Sequence, residues 1–239
     1  MENQELNYWE LAAERQQMVS EAFPVLMRKV YVWMAFALLI TGMTAFYVAT
    51  SPTILNAIFT NQAVFWGLII AELALVMGVS AAINRLSLMV ATLLFILYSV
   101  INGATMSMIF LLYEASSIAT VFFITAGTFG AMAAIGYTTK KDLSSIGRIM
   151  FMALIGLVIA TLVNMFFKSP GMTMVLSYIG VIVFVGLTAW DSQKIKQMLM
   201  QAPDVDEVGQ KLALLGALTL YLDFVNLFLY LLRIFGKRR

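Results

Sequence analysis

The chain has 239 residues, of which 62% are hydrophobic and 12% are charged, and this composition excludes an ordinary soluble domain. The formal net charge of +2 is too small to indicate nucleic-acid binding. Because the sequence contains no cysteine and no histidine, disulfides, thiolate chemistry and histidine-based proton sensing are excluded as well. We expect no bound cofactor.

The apolar residues come in runs of about 20, the length that a helix needs to cross a hydrocarbon core of about 30 Å. Such continuous runs lack the alternating pattern of barrel strands, so the fold class is all-α. The sequence therefore predicts a polytopic membrane protein, with one transmembrane domain over residues 29–239. The seven predicted spans cover residues 30–49, 63–83, 87–112, 117–137, 147–167, 172–195 and 211–234.

The first 28 residues are polar and of mixed charge, and they lack the basic start and immediate apolar stretch of a secretory signal. We interpret residues 1–28 as a retained cytoplasmic arm, helical from about Glu5 to Glu21. Lysine and arginine concentrate in the loops on the side of this arm, which predicts a cytoplasmic N-terminus. The basic tail "GKRR" conflicts with this rule. Either the rule fails for the tail, or the last segment does not cross completely.

Three acids fall inside predicted spans, namely Glu72, Asp191 and Asp223. A carboxylate near the bilayer centre costs at least a few kcal/mol, so such residues are candidates for function. Taken alone, Glu72 is compatible with a cation site, a proton carrier or a hydrogen-bonded structural acid.

Asp191 and Asp223 are predicted to face one another. The short connection at residues 201–210 makes the last two spans an antiparallel hairpin. Counted from this connection at 1.5 Å per residue, Asp191 lies at a depth of about 14 Å and Asp223 at about 20 Å. Two carboxylates held together in a low dielectric cannot easily both ionise, so the pair is expected to share a proton and titrate as a unit. The alternative is that both acids are structural and hydrogen-bonded to their neighbours.

The last span also carries a polar stripe around Asp223. Thr219, Asp223, Asn226 and Tyr230 occupy positions i, i+4, i+7 and i+11 on one helical face. Asn226 and Tyr230 are therefore candidates to line an ion pathway beside the acid. Arg85 follows the second span at the cytoplasmic side, and its depth alone suggests that it could reach toward Asp191.

Three stretches of the sequence resemble one protein family. They are "YTTKKDLSSIGRIMFMALIGLVIATLVNMFF", "GLTAWDSQKIK" and "LTLYLDFVNLFLYLLRIFG", and they are similar to the bacterial branch of the transmembrane Bax inhibitor motif (Bax inhibitor-1) family. The resemblance implies a bacterial inner membrane location and seven transmembrane helices with the C-terminal helix at the centre. It also implies a pH-sensitive leak channel for calcium ions in the lipid bilayer.

The resemblance further assigns roles to individual residues. Asp191 and Asp223 correspond to a di-aspartyl pH sensor, Arg85 to a latch that pairs with the sensor, and Glu72 to the calcium pathway. On this reading Glu72, Asp191 and Asp223 are candidate calcium ligands, because Ca²⁺ prefers carboxylate oxygens. Protons and calcium ions are then the partners of the protein, which is not an enzyme.

Three other functions use parts of the same sequence in different ways. Some bacterial relatives resemble modulators of a membrane-bound ATP-dependent protease, for which the arm at residues 1–28 would be a handle. An intramembrane aspartyl protease is disfavoured because neither aspartate follows a Gly-x-Gly motif. A proton-coupled transporter is disfavoured because no pair of interrupted helices indicates a substrate site.

Overall fold

A computed structural model describes residues 2–239 of the chain, with side chains from Glu14 onward. Over this range the chain forms helices and short connections. Seven spans in the described part are long and apolar enough to cross a membrane, as the sequence predicts. The helices are α1 Glu2–Thr50, α2 Pro52–Phe59, α3 Gln62–Ala82, α4 Leu88–Met106, α5 Met108–Leu112, α6 Ala115–Thr138, α7 Ser144–Phe167, α8 Pro170–Leu199 and α9 Glu207–Phe235.

The helix ends follow local sequence signals. Asn61, Ser87, Ser169 and Asp206 each accept a hydrogen bond from a backbone amide in the first turn of the helix that follows. Lys168 ends α7 in the left-handed conformation at a φ of 49°, and Pro170 then opens α8, where its missing amide hydrogen is not needed.

The last helix is the centre of the bundle, which confirms the predicted architecture. Two-thirds of the apolar window of α9 is buried, at 67%, against 6% for α3 and 11% for α7. Helices α8, α1, α6 and α4 pack around α9. By contrast, α3 packs on α2 and α4, and α7 packs on α8, so these two spans lie at the periphery.

The first helix is longer than the span predicted from apolarity. It runs from Glu2 to Thr50 without a break, and Pro24 lies inside it. Leu26 and Val30 are fully buried in the core, so the helix enters the bundle before the predicted span begins at residue 30. Residues 14–21 lie before this entry point and are mostly exposed.

The chain after α9 is fixed at the end of the bundle opposite to the beginning of α1. Tyr113, between α5 and α6, forms an antiparallel bridge with Arg238. The Lys237 ammonium lies 3.1 Å from the Glu114 carboxylate. The last span therefore passes through the whole bundle. Of the two explanations for the basic tail, an incomplete last span is the one that this path disfavours. We call this end of the bundle the far end, and the end that holds the connections 83–87, 139–143 and 200–206 the near end.

Candidate functional site

The site is built on the hairpin of α8 and α9, which are joined by residues 200–206. Asp191 on α8 and Asp223 on α9 are both buried, with exposed fractions of 7% and 5%. Their carboxyl groups lie within hydrogen-bonding reach of one another. The hairpin thus brings together the two acids that the sequence places at similar depth.

The contact between the two carboxyls has a consequence for their proton content. An ionised carboxylate only accepts hydrogen bonds, so a hydrogen bond between the two groups requires one proton. Two unit charges about 4 Å apart repel by about 4 kcal/mol at an effective dielectric constant of 20, and a shared proton removes this repulsion. Oδ2 of Asp223 is buried and has no hydrogen-bond partner among the described residues.

A lysine lies one turn after Asp191 on the same helix. The charge of Lys194 acts on Asp191, but the lysine side chain is exposed and its ammonium lies 5.1 Å from the centre of the Trp190 ring. Arg85 lies in the turn after α3 and is exposed. Within residues 14–239 it makes no ion pair or hydrogen bond with either aspartate. Its assignment as a latch stays a prediction.

The turn that holds Arg85 is tied to the central helix by a residue that the sequence reading did not single out. The Leu88 amide donates a hydrogen bond of 3.1 Å to Oε1 of Glu207, and the Lys211 ammonium lies 3.0 Å from the same oxygen. The beginning of α4 is therefore attached to the beginning of α9. Glu207 looked like an ordinary loop acid because only the fold brings it near residue 88.

Glu72 lies apart from the aspartates, at the edge of a second polar cluster. Its Oε1 accepts a hydrogen bond of 2.7 Å from Thr105, and the Asn102 side chain lies beside it. Asn102 in turn accepts a hydrogen bond of 3.0 Å from the Tyr221 hydroxyl. Thr41 completes the cluster, with its hydroxyl 2.7 Å from that of Tyr221. Helices α3, α4, α9 and α1 are thereby joined through polar groups.

Asn226 and Tyr230 continue the polar stripe of α9, and both are half-buried. The Asn226 amide donates to the Leu222 carbonyl one turn earlier, at 2.8 Å. The Tyr230 ring stacks on Phe184 at a centroid distance of 5.8 Å and covers Gly180, where a Cβ would overlap the ring. In this conformation both residues therefore contact their own helix and α8 rather than the aspartates.

The three acids do not form a common metal site. Among the described residues no group of three or more acidic, histidine or cysteine side chains could hold a metal ion. Within this part of the chain the three acids therefore do not build a closed cage for a resident ion.

Comparison with known proteins gives the same class of protein. The sequence pattern of the family described as "Inhibitor of apoptosis-promoting Bax1" matches residues 24–239. The inner membrane protein YbhL of Escherichia coli strain K12 is 55% identical over 214 residues, which cover 89% of this chain and 92% of YbhL. The uncharacterized protein RP147 of Rickettsia prowazekii is 46% identical over 215 residues, or 89% of each chain. An uncharacterized protein of Borreliella burgdorferi is 45% identical over 211 residues, which cover 88% of this chain and 91% of that protein.

Seven apolar spans, with the last one central and packed against α8, α1, α6 and α4, define a polytopic helical membrane protein. With a family match over nearly the whole chain and relatives of this identity, the chain belongs to the Bax inhibitor-1 family. It is a multi-pass inner membrane protein of that family.

Proposed function

We propose that the protein is a calcium leak channel whose opening depends on the protonation of Asp191 and Asp223. The observation that carries the proposal is the contact between these two buried carboxyls on the central hairpin. Calcium is a hard cation that prefers carboxylate and carbonyl oxygens, and the sequence offers acids but no histidine or cysteine for softer metals.

The position of the pair supports a gating role. Because α9 packs against α8, α1, α6 and α4, a change in charge beside it acts on the packing of most of the bundle. Losing the shared proton leaves two negative charges in contact, and the resulting repulsion favours separation of α8 from α9. The pair is enclosed here, so we assign this conformation to the closed state.

Glu72 and Arg85 take subordinate roles in the proposal. Glu72 is half-buried on the least buried span and lies outside the aspartate pair, as a residue along a cation path would. Arg85 is exposed in the turn after α3, so a latch would require movement of that turn toward Asp191. Since α3 packs mainly on α2 and α4, such a movement requires chiefly the loss of the Leu88–Glu207 hydrogen bond that ties the turn to α9.

The test is calcium flux in proteoliposomes that contain a calcium-sensitive dye, measured across a range of pH. Asp191→Asn and Asp223→Asn, singly and together, are expected to change the flux and flatten its dependence on pH. Asp142→Asn is the matched control, because this acid lies in an exposed loop of the near end. If the double variant keeps both the rate and the pH profile of the wild type, the aspartates are not the sensor.

The same assay distinguishes a residue of the cation path from a residue of the pH sensor. Glu72→Gln is expected to lower the flux without moving the pH profile, whereas Arg85→Gln is expected to move the profile. An Arg85→Gln variant with the wild-type profile would remove the latch from the proposal and leave the sensor untouched.

A second function, modulation of a membrane-bound ATP-dependent protease, is favoured by the beginning of α1. Residues 14–21 are mostly exposed, and Met18 keeps an exposed fraction of 43%. A helical extension of this kind is available to a partner protein. Deletion of residues 2–20 removes this extension and keeps the buried residues of α1 that the structure describes, which begin at Ala22. Loss of an effect on proteolysis with unchanged calcium flux would support the partner function, and the opposite result would exclude it.

A further inference from the structure

A basic cavity opens at the far end of the bundle, where α7 and α9 end and α8 begins. It has a volume of about 750 Å³. Three cationic side chains line it, Lys168, Arg233 and Arg238. Hydrogen-bonding side chains complete its wall, namely Thr161, Asn164, Thr173 and Ser177.

The three cations have no acid to balance them. No acidic side chain lines the cavity, and within the described part of the chain none of the three forms an ion pair. Glu114, on the connection between α5 and α6, is paired with Lys237 at 3.1 Å. Three like charges around one cavity repel each other, and a bound anion would turn this repulsion into attraction.

Aromatic rings hold two of the cations in place. The Arg233 guanidinium lies 5.4 Å from the centre of the Tyr230 ring, and that of Arg238 lies 6.0 Å from the centre of the Tyr113 ring. A cation over a ring face keeps its N–H donors available to a further ligand. Two N–H donors of one guanidinium can bind two oxygen atoms of the same phosphate group.

These charges lie at the end of the bundle where the positive-inside rule disfavours basic residues. On the predicted orientation the far end is the outer side, which normally carries few basic residues in short segments. Five basic residues lie there, and three of them converge on one cavity. Large apolar side chains surround the same end, with Phe166 exposed by 87% and Phe167 by 75%, as expected at a lipid boundary.

We propose that this cavity is a binding site for a phosphate group, independent of the aspartate pair. Two sources supply that chemistry at a membrane surface, the headgroup of an anionic phospholipid and a free phosphate-bearing solute. Because α7, α8 and α9 all contribute to the wall, the bound anion stabilises the far end of the central hairpin.

The experiment measures the thermal unfolding of the full-length protein in micelles. Phosphatidylglycerol is added to one series and inorganic phosphate to another, with phosphatidylcholine and chloride at equal ionic strength as their controls. An upward shift in unfolding temperature that rises with ligand concentration reports binding to the folded state. A shift with phosphatidylglycerol alone identifies a lipid site, and a shift with phosphate as well identifies a site open to solutes.

Three variants test whether the phosphate group binds in this cavity. Arg233→Gln and Lys168→Gln are each expected to raise the apparent dissociation constant about tenfold, since each removes a charged hydrogen-bond donor. Lys237→Gln removes the same charge from the same end, but this lysine does not line the cavity, so its binding should change less than about twofold. Each variant is compared with its own unfolding temperature without ligand, so a loss of stability does not mimic a loss of binding.

Two outcomes overturn the proposal. The wild type could show no shift with either phosphate source beyond the shift in the chloride and phosphatidylcholine controls. Alternatively, Lys237→Gln could weaken binding as much as Arg233→Gln, which would mean that the phosphate group senses the net charge of the far end rather than this cavity.

Discussion

The Tyr221 hydroxyl donates a hydrogen bond of 3.0 Å to Oδ1 of Asn102 and lies 2.7 Å from the Thr41 hydroxyl, so one side chain of α9 joins α4 and α1. Tyr221 is fully buried, and its ring packs edge-on against Phe95 at a centroid distance of 5.8 Å. Asn102 also lies beside Glu72. The central helix is therefore connected by polar contacts to the peripheral span that carries the proposed cation path.

Tyr221→Phe should destabilise the protein by about 1–2 kcal/mol, because two buried polar partners lose the hydroxyl while the packed ring is kept. Heat denaturation in micelles, followed by circular dichroism, measures this loss. Tyr98→Phe is the matched control, since Tyr98 is also buried but its hydroxyl makes no hydrogen bond with a described side chain. Equal losses for the two variants would show that the network adds no stability.

Asp191 and Asp223 should behave as one unit in a double-mutant cycle. Asp191→Asn, Asp223→Asn and the double variant are compared by denaturation in mixed micelles. Because the carboxyls are in contact, the losses should deviate from additivity by about 0.5–3 kcal/mol, and the deviation should differ between acid and neutral pH. The combination of Asp223→Asn with Asp142→Asn should be additive. Additivity of the first pair at every pH would mean that the two groups do not interact.

Close contact between α6 and α8 depends on Gly136, where a Cβ would overlap the Ala189 carbonyl. Gly136→Val should therefore cost about 1–3 kcal/mol of stability through overpacking. Gly127→Val on the same helix is the control, because nothing lies within 4 Å of a Cβ at that position. Its effect should stay within about 0.5 kcal/mol. Unfolding of both variants in micelles gives the comparison, and a tolerated valine at residue 136 would contradict the close approach.

The sequence predicts the spans well because apolarity over about 20 residues is a physical requirement of the bilayer. Six of the seven predicted spans agree with the helices to within a few residues, for example 147–167 against Ser144–Phe167. The early entry of α1 was missed because residues 22–30 mix polar and apolar side chains, and only the fold shows that Leu26 is buried. The break at Ser107, between α4 and α5, has no proline or glycine to announce it.

The candidate site was predictable in part for a related reason. A short hairpin fixes the relative depth of two residues. The proximity of Asp191 and Asp223 could therefore be inferred by counting the residues between each acid and the connection at 201–210. The rotation of a helix about its axis is set by packing, which counting does not give. For this reason the sequence could not show that Arg85 faces outward, nor that Tyr221 turns its hydroxyl toward Asn102 rather than acting as one more aromatic ring.

The orientation in the membrane can be tested directly, because the chain contains no cysteine and therefore gives no background with thiol reagents. Lys141→Cys lies in the near-end connection and Arg239→Cys in the far-end tail, and both positions are exposed. On the predicted orientation, a membrane-impermeant maleimide should label Arg239→Cys in intact spheroplasts but Lys141→Cys only after permeabilisation. The two reporters must behave oppositely, since they lie at opposite ends of the bundle. The reverse pattern would place the N-terminus outside and the basic cavity at the cytoplasmic surface, where the positive-inside rule accounts for its charge.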